Sequence, residues 1–275
     1  MITCIDYFAG IGAWELAAEI LEQIYSYQVF TTYQFVEILP SAQQVLCSHY
    51  PLIPIHSDIK TYTPPQNIDA YFISFPCKGT SQAGTKTGLN HPESNLWFEA
   101  LRCICIGKPK FVVIEQPEGF IHRGLRACLG GLRMAGYSTE VEIISASQLG
   151  APHRRNRVFV IAHTNDLSLQ QREGWKCWDE QIGMDIETTR SFGERCLRRQ
   201  ATQAFSQSST VEDAVPIWLS GLSYSGWWKI NNPPLNCGVP RNTPGRREAI
   251  NLIGRSIVPL QAAIPLMRVK FLASL

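Results

Sequence analysis

A cysteine stands in Pro76-Cys77-Lys78-Gly79-Thr80-Ser81, directly after the apolar run Ala70–Phe75. A thiol at the end of a strand, beside a lysine and near loop amides, is placed to have a lowered pKa and to act as a nucleophile. The commoner fate of a cysteine is to serve as a small buried hydrophobe, so the thiol alone does not decide. Glu115 closes the next apolar run, Phe111–Glu115, where a carboxyl group can hold a polar ring edge or donate a proton. Further on, Gly150-Ala151-Pro152-His153-Arg154-Arg155-Asn156-Arg157 leads into another run. Arg155 and Arg157 alternate, so both guanidinium groups share one face of an extended segment. That pair suits a phosphate, or an orienting contact to a carboxylate.

A second group of residues reads as a binding loop for a nucleotide-like molecule. The first strand runs straight into Phe8-Ala9-Gly10-Ile11-Gly12, and a helix follows. Glycines let the backbone approach a ligand, and a helix N-terminus favours negative charge. Glu15 occupies the place of the third glycine of the dinucleotide fingerprint. A carboxylate facing a pyrophosphate would repel it, so the pattern disfavours NAD or FAD and favours a ligand without phosphates. Glu37 ends the second strand, in position for ribose hydroxyls. Asp58-Ile59 closes the next short run, where an adenine edge can be read. In that order the three features point to an adenosyl cofactor.

These residues need elements to hold them. Strands are expected over Ile2–Phe8, Tyr33–Glu37, Ala70–Phe75, Phe111–Glu115, Glu140–Ser145 and Arg157–Ala162, each rich in Val, Ile, Phe and Tyr. Helices are expected over Trp14–Ser26, Ser41–His49, Ser94–Gly107 and Leu125–Ala135. Such alternation predicts an α/β fold, a doubly wound and mostly parallel sheet with helices on both faces. The pattern stops after residue 162. Residues 163–245 are polar, without a clear period, and carry scattered tryptophans. The stretch 246–275 is apolar and helical in pattern, interrupted by Pro259 and Pro265. We therefore expect one domain built from 1–162 and 246–275, with 163–245 as a small inserted domain.

Composition narrows the classes. Of 275 residues, 45% are hydrophobic and 17% charged, which excludes collagen, coiled coil and global disorder. No apolar run approaches the ~18 residues of a membrane span. The first ten residues have no basic region and include Asp6, so no signal peptide is expected. Nine cysteines form no CxxC pair, so neither a metal knuckle nor a disulfide framework is expected, and free thiols fit a reducing cytoplasm. Charge is unevenly spread. Residues 1–150 hold nine Lys and Arg against thirteen Asp and Glu, whereas residues 151–275 hold sixteen against ten. Thirteen of those sixteen are arginines, which suits contact with a polyanion.

Taken together, the motifs resemble the DNA cytosine carbon-5 methyltransferase family. DYFAGIGAW is similar to that family's first motif, and Glu37 and Asp58 match its next two acidic positions. SFPCKGTSQAG resembles the motif around the nucleophilic cysteine, and SNLWFEALRCICIGKPKFVVIEQPEGF resembles the helix and strand that lead to Glu-Asn-Val. GAPHRRNRVFVIA resembles the arginine motif, and NLIGRSIVPLQAA the final Gly-Asn-x-x-x-Pro motif.

The resemblance implies a Rossmann-like S-adenosylmethionine-dependent fold, and it implies double-stranded DNA as the partner. Catalytic roles fall to Cys77, Glu115, Arg155 and Arg157. The cofactor is then expected on Phe8, Ala9, Gly10, Ile11, Gly12, Glu37, Ile38, Asp58, Ile59, Pro76, Arg255 and Ser256. Cys77 would add to carbon 6 of a cytosine flipped out of the helix, while Glu115 holds the ring. Residues 163–245 fall where the family carries its target recognition domain.

The match has departures. Lys78 stands where the family has Gln, Glu115-Gln116-Pro117 where it has Glu-Asn-Val, and His153 where Gln is commoner. Arg255 replaces the Asn of the last motif. A cation there could pair with a carboxylate, which raises carboxy-S-adenosylmethionine as an alternative donor and carboxymethyl as the group transferred. Other readings are a DNA-binding relative without turnover and an RNA cytosine methyltransferase.

Overall fold

The computed structural model describes residues 1–82, 84–151, 154–164, 174, 176–204, 252 and 256–275. Seven strands form one sheet: β1 (Ile2–Tyr7), β2 (Phe30–Val36), β3 (Ile55–His56), β4 (Ala70–Ile73), β5 (Phe111–Pro117), β6 (Tyr137–Ser145) and β7 (Asn156–Thr164). Their spatial order is β3-β2-β1-β4-β5-β7-β6. Strands β1 to β5 run parallel, while β7 lies antiparallel between β5 and β6. The chain winds outward from β1 in both directions, so the order reverses between β1 and β4. In an open sheet of this kind, ligands bind at the carboxyl ends of the strands beside that reversal.

Helices cover both faces. One face carries α1 (Ala13–Tyr25), α6 (Trp178–Ala204) and α7 (Pro259–Ser274). Trp14, Leu21, Trp178, Leu260, Ile264 and Met267 pack there on Phe72 and Phe159 of the sheet. On the opposite face lie α3 (Trp97–Gly107) and α5 (Leu125–Met134), whose Trp97, Ile104, Cys128 and Leu132 meet Tyr71, Val112 and Ile114. Neighbouring residues such as Tyr71 and Phe72 serve opposite faces because strand side chains alternate. Two further helices are α2 (Pro40–His49) and the single turn α4 (Phe120–Arg123).

The doubly wound, mostly parallel sheet agrees with expectation, and three local results differ. The two-residue strand β3 and the turn α4 are too short to have a period. Helix α6 runs through a stretch that reads as unpatterned. Its inner stripe holds Trp178 and Phe192 but also the buried Asp185 and Thr189, which break the apolar repeat. Helix α7 is continuous over Pro259–Ser274. Pro259 opens it, where no backbone donor is needed, and Pro265 lies inside it. The packing of a helix buried on almost every side outweighs the hydrogen bond that Pro265 removes.

Some arginines of the basic half also serve the interior. Arg268 is fully buried and pairs with Glu140. Among the described residues, no helix is long and apolar enough to cross a membrane.

Candidate active site

Strand β1 ends at Tyr7, and the chain turns through Phe8 (φ 59°), Gly10 (φ 57°) and Gly12 (φ 84°), all left-handed. Gly12 is the residue before α1, and a methyl group there would lie 2.9 Å from the Tyr50 ring and 3.3 Å from Leu46. Only glycine meets both the angle and the space. At Gly10 the reverse holds, since the nearest atom to an added carbon is 4.0 Å away. The backbone there faces open space, as a ligand cradle requires. Ala9 and Ile11 are buried and anchor the turn.

Glu37 stands just past β2. Its two carboxylate oxygens accept the backbone N–H groups of Gly10 and Leu39, each at 2.8 Å. The acid thus fixes the loop. Beside it Ile38 is 60% exposed, an apolar surface next to the carboxylate. Asp58 accepts the Lys60 N–H at 3.0 Å and so shapes its own turn. Ile59 is buried in the core, while its carbonyl accepts the Arg102 guanidinium at 2.7 Å. Its side chain thus belongs to the core and its carbonyl to Arg102 and Tyr62.

Glu15 does not face this loop's ligand side, contrary to the sequence expectation. It is buried, and its Oε1 accepts the Thr32 hydroxyl at 2.9 Å. Its carboxyl neighbours that of the fully buried Asp6, whose oxygens have no hydrogen-bond partner among the described residues. Burial holds both carboxyls above their ordinary range, Glu15 at about 7. A Glu15 turned into the interior does not repel a pyrophosphate at this loop.

Cys77 follows β4 and is partly buried. Its surroundings come from two other segments: Glu115 near the end of β5, and Arg155 and Arg157 flanking the start of β7. Arg157 Nε lies 2.7 Å from Glu115 Oε1, and both side chains are largely buried. Arg155 donates to the Ser256 carbonyl at 2.6 Å, which ties the segment leading to α7 to this corner.

Burial pushes the Cys77 thiol up, and the Glu115 charge pushes it further. Arg157 and Arg155 only partly oppose this. A lowered thiol pKa was expected from the neighbouring lysine. Lys78 instead turns away to Glu93, 2.5 Å from its Oε1. Burial likewise raises Glu115 in spite of both arginines. Arg155 is depressed to about 10 by burial first and by Arg157 second.

A thiol, a carboxyl group and two guanidinium groups thus share one corner. A hydrogen bond joins that corner to the binding loop, from Trp14 Nε1 in the first turn of α1 to Ser74 Oγ at 3.0 Å. The Pro76 carbonyl accepts the Ser94 hydroxyl, and the Ser256 carbonyl accepts Arg155. Arg255 and His153 lie outside the described residues. Sequence reasoning missed Ser94, Thr80 and the structural part of Gln116, all buried and all bonded to the cysteine loop. Gln116 drew notice only as a departure from a motif.

A family model described as C-5 cytosine-specific DNA methylase matches residues 2–209. Type II methyltransferase M.BsuFI of Bacillus subtilis is 31% identical over 176 residues, 61% of this chain and 41% of that protein. Type II methyltransferase M.CviJI of Paramecium bursaria Chlorella virus IL3A is 32% identical over 147 residues, 52% of this chain and 40% of that protein. The chain thus spans about two fifths of the length of these curated relatives. Among solved structures, a Spodoptera frugiperda DNMT2 variant superposes with a TM-score of 0.58 at 15% identity, covering 98% of this chain and all of that one. That likeness concerns the fold.

Proposed function

Because the chain belongs to the C-5 cytosine-specific DNA methylase family, we propose that it transfers a methyl group to carbon 5 of cytosine in double-stranded DNA. What carries this reading is one arrangement. Cys77, Glu115, Arg155 and Arg157 meet at the carboxyl edge of the sheet, and Trp14 and Ser74 link them to the loop Phe8–Gly12.

The donor we assign is S-adenosylmethionine, which supplies an electrophilic methyl group on a sulfonium. The open face at Gly10, the carboxylate of Glu37 and the exposed Ile38 suit its adenosyl part. Asp58, the Ile59 backbone, Pro76 and Ser256 would complete its walls. The carboxylated donor rests on Arg255 alone, so the ordinary donor is the better supported.

Carbon 5 of cytosine is a weak nucleophile. Bonding of the Cys77 sulfur to carbon 6 breaks the ring's conjugation and gives carbon 5 enamine character. Glu115 holds nitrogen 3 and the exocyclic amine, and its raised affinity for a proton suits it to neutralise charge gathering there. Arg157 orients Glu115, and Arg155 the adjoining segment. Carbon 5 so activated would take the donor's methyl group, the sulfonium leaving as a neutral thioether. Loss of the carbon-5 proton to water then breaks the carbon 6–sulfur bond and restores the ring. The base must leave its stack to reach Cys77, at a cost of a few kcal/mol. Because β7 and α6 belong to the main core, we assign target recognition to the rest of the 163–245 segment, in a cytoplasmic setting.

The test is to incubate the protein with duplex DNA or RNA and with each donor, then read the nucleosides by mass spectrometry. We expect 5-methylcytosine from DNA with the ordinary donor. Fluorinated cytosine DNA should trap a covalent adduct that the Cys77→Ser variant does not form. Modified RNA alone, or no product with any combination, overturns the proposal.

A further inference from the structure

Two polar side chains bridge the cysteine loop from opposite sides. Ser94, in the 3₁₀ turn Ser94–Leu96 ahead of α3, donates its hydroxyl to the Pro76 carbonyl at 2.9 Å. The same oxygen accepts the Gly79 N–H at 3.0 Å. One hydroxyl thus holds the backbone on either side of Cys77 and Lys78. Gln116, next to Glu115 on β5, donates Nε2 to the Phe75 carbonyl at 2.7 Å and accepts the Thr80 hydroxyl at 3.0 Å. A carbonyl can only accept, so the Phe75 bond fixes which way the amide points. Thr80 must then be the donor to Oε1.

Ser94 and Thr80 are fully buried and Gln116 is 1% exposed, so water cannot replace these bonds without rearrangement. Arg123 adds a bond to the Thr80 carbonyl at 3.1 Å.

We propose that Ser94 and the Gln116–Thr80 pair are positioning residues that fix the Cys77 sulfur against Glu115 before any nucleic acid binds. Neither touches the reacting atoms. Gln116 acts because its strand also carries Glu115, so one side chain sets the distance between nucleophile and acid. Ser94 acts through α3, so the helix and the sheet grip the loop together. The account rests on the proposed use of Cys77, but the loop's geometry can be read without turnover.

The experiment uses the full-length protein with Ser94→Ala and Thr80→Val. The second variant removes only a hydroxyl at nearly constant shape, and serves if the first does not fold. Iodoacetamide labelling is followed by mass spectrometry for each cysteine across a pH series. A released loop hydrates the sulfur. Cys77 should then label faster, with its pH midpoint moved down toward that of an ordinary thiol. The buried Cys4, Cys103 and Cys128 should stay unlabelled, as general unfolding would not allow. In the methyl-transfer assay, kcat should fall by about tenfold to a hundredfold, with little change in KM for the donor. Unchanged Cys77 labelling in both variants, or labelling that rises equally at the buried cysteines, overturns the proposal. Failure of methyl transfer in the wild-type protein sinks the functional reading and leaves the labelling result to judge the clamps.

Discussion

At position 77 the fold works against ready ionisation. The thiol is raised first by its burial and then by the Glu115 charge, so at neutral pH it is mostly protonated. The rate of adduct formation with fluorinated cytosine DNA should therefore climb from about pH 7 to about pH 9, because the thiolate is the nucleophile. Rapid-quench gels at several pH values check this, and a flat profile refutes it. Glu115→Gln removes the charge that raises it, so iodoacetamide labelling of Cys77 should shift to lower pH. The same change should lower turnover by about 10²- to 10⁴-fold, as expected for the loss of a proton-transfer group. The cysteine itself was legible from its place after an apolar run. Its titration was not, because burial, Glu115 and the arginines come from segments far away in the chain. Lys78, the one neighbour visible in sequence, points elsewhere.

Between β1 and α1, the turn Phe8–Gly12 depends on elements on either side. Gly12→Ala adds a left-handed strain of about 1–2 kcal/mol and drives a methyl group against Tyr50. We expect a lower melting temperature and a weaker donor affinity by calorimetry. Beneath the turn, Glu15 titrates at about 7 when folded, above the ordinary value of about 4.3. The folded state therefore binds a proton that the unfolded chain has already lost between those values. Stability should fall as pH rises through that window and level off above it, by roughly 3–4 kcal/mol over the whole window. Urea titrations at about pH 5 and pH 8 should show the loss in the wild type and a smaller one in Glu15→Gln, the remainder belonging to the raised Asp6 and Asp185. Strands and helices with strong periods were readable from sequence. Helix α6 was not, because Asp185 and Thr189 sit in its buried stripe, and neither was the inward turn of Glu15, whose partners lie on β1 and β2.

Across the whole molecule, Arg268 joins three elements. Its guanidinium pairs bidentately with Glu140 of β6 at 2.8 and 2.6 Å, and also bonds Gln181 of α6 and the Lys176 carbonyl. Arg268→Ala strands a carboxylate in a poorly hydrated place, which should cost about 3–5 kcal/mol. Denaturant unfolding measures that loss, and hydrogen exchange should show α6 opening first. A paired Arg268→Met, Glu140→Leu protein should recover much of it, since no charge is then left alone. The packing of α1 against α7 has a consequence for biosynthesis. More than two hundred residues separate Tyr25 from Pro259. At ~5–20 residues per second, a ribosome needs roughly 10–50 s to cross that gap. Throughout it, the greasy side of the growing sheet and of α1 lacks α7, so a stalled nascent chain ending before Pro259 should recruit holdase chaperones and be cut readily by protease, whereas one whose α7 has cleared the exit tunnel should resist.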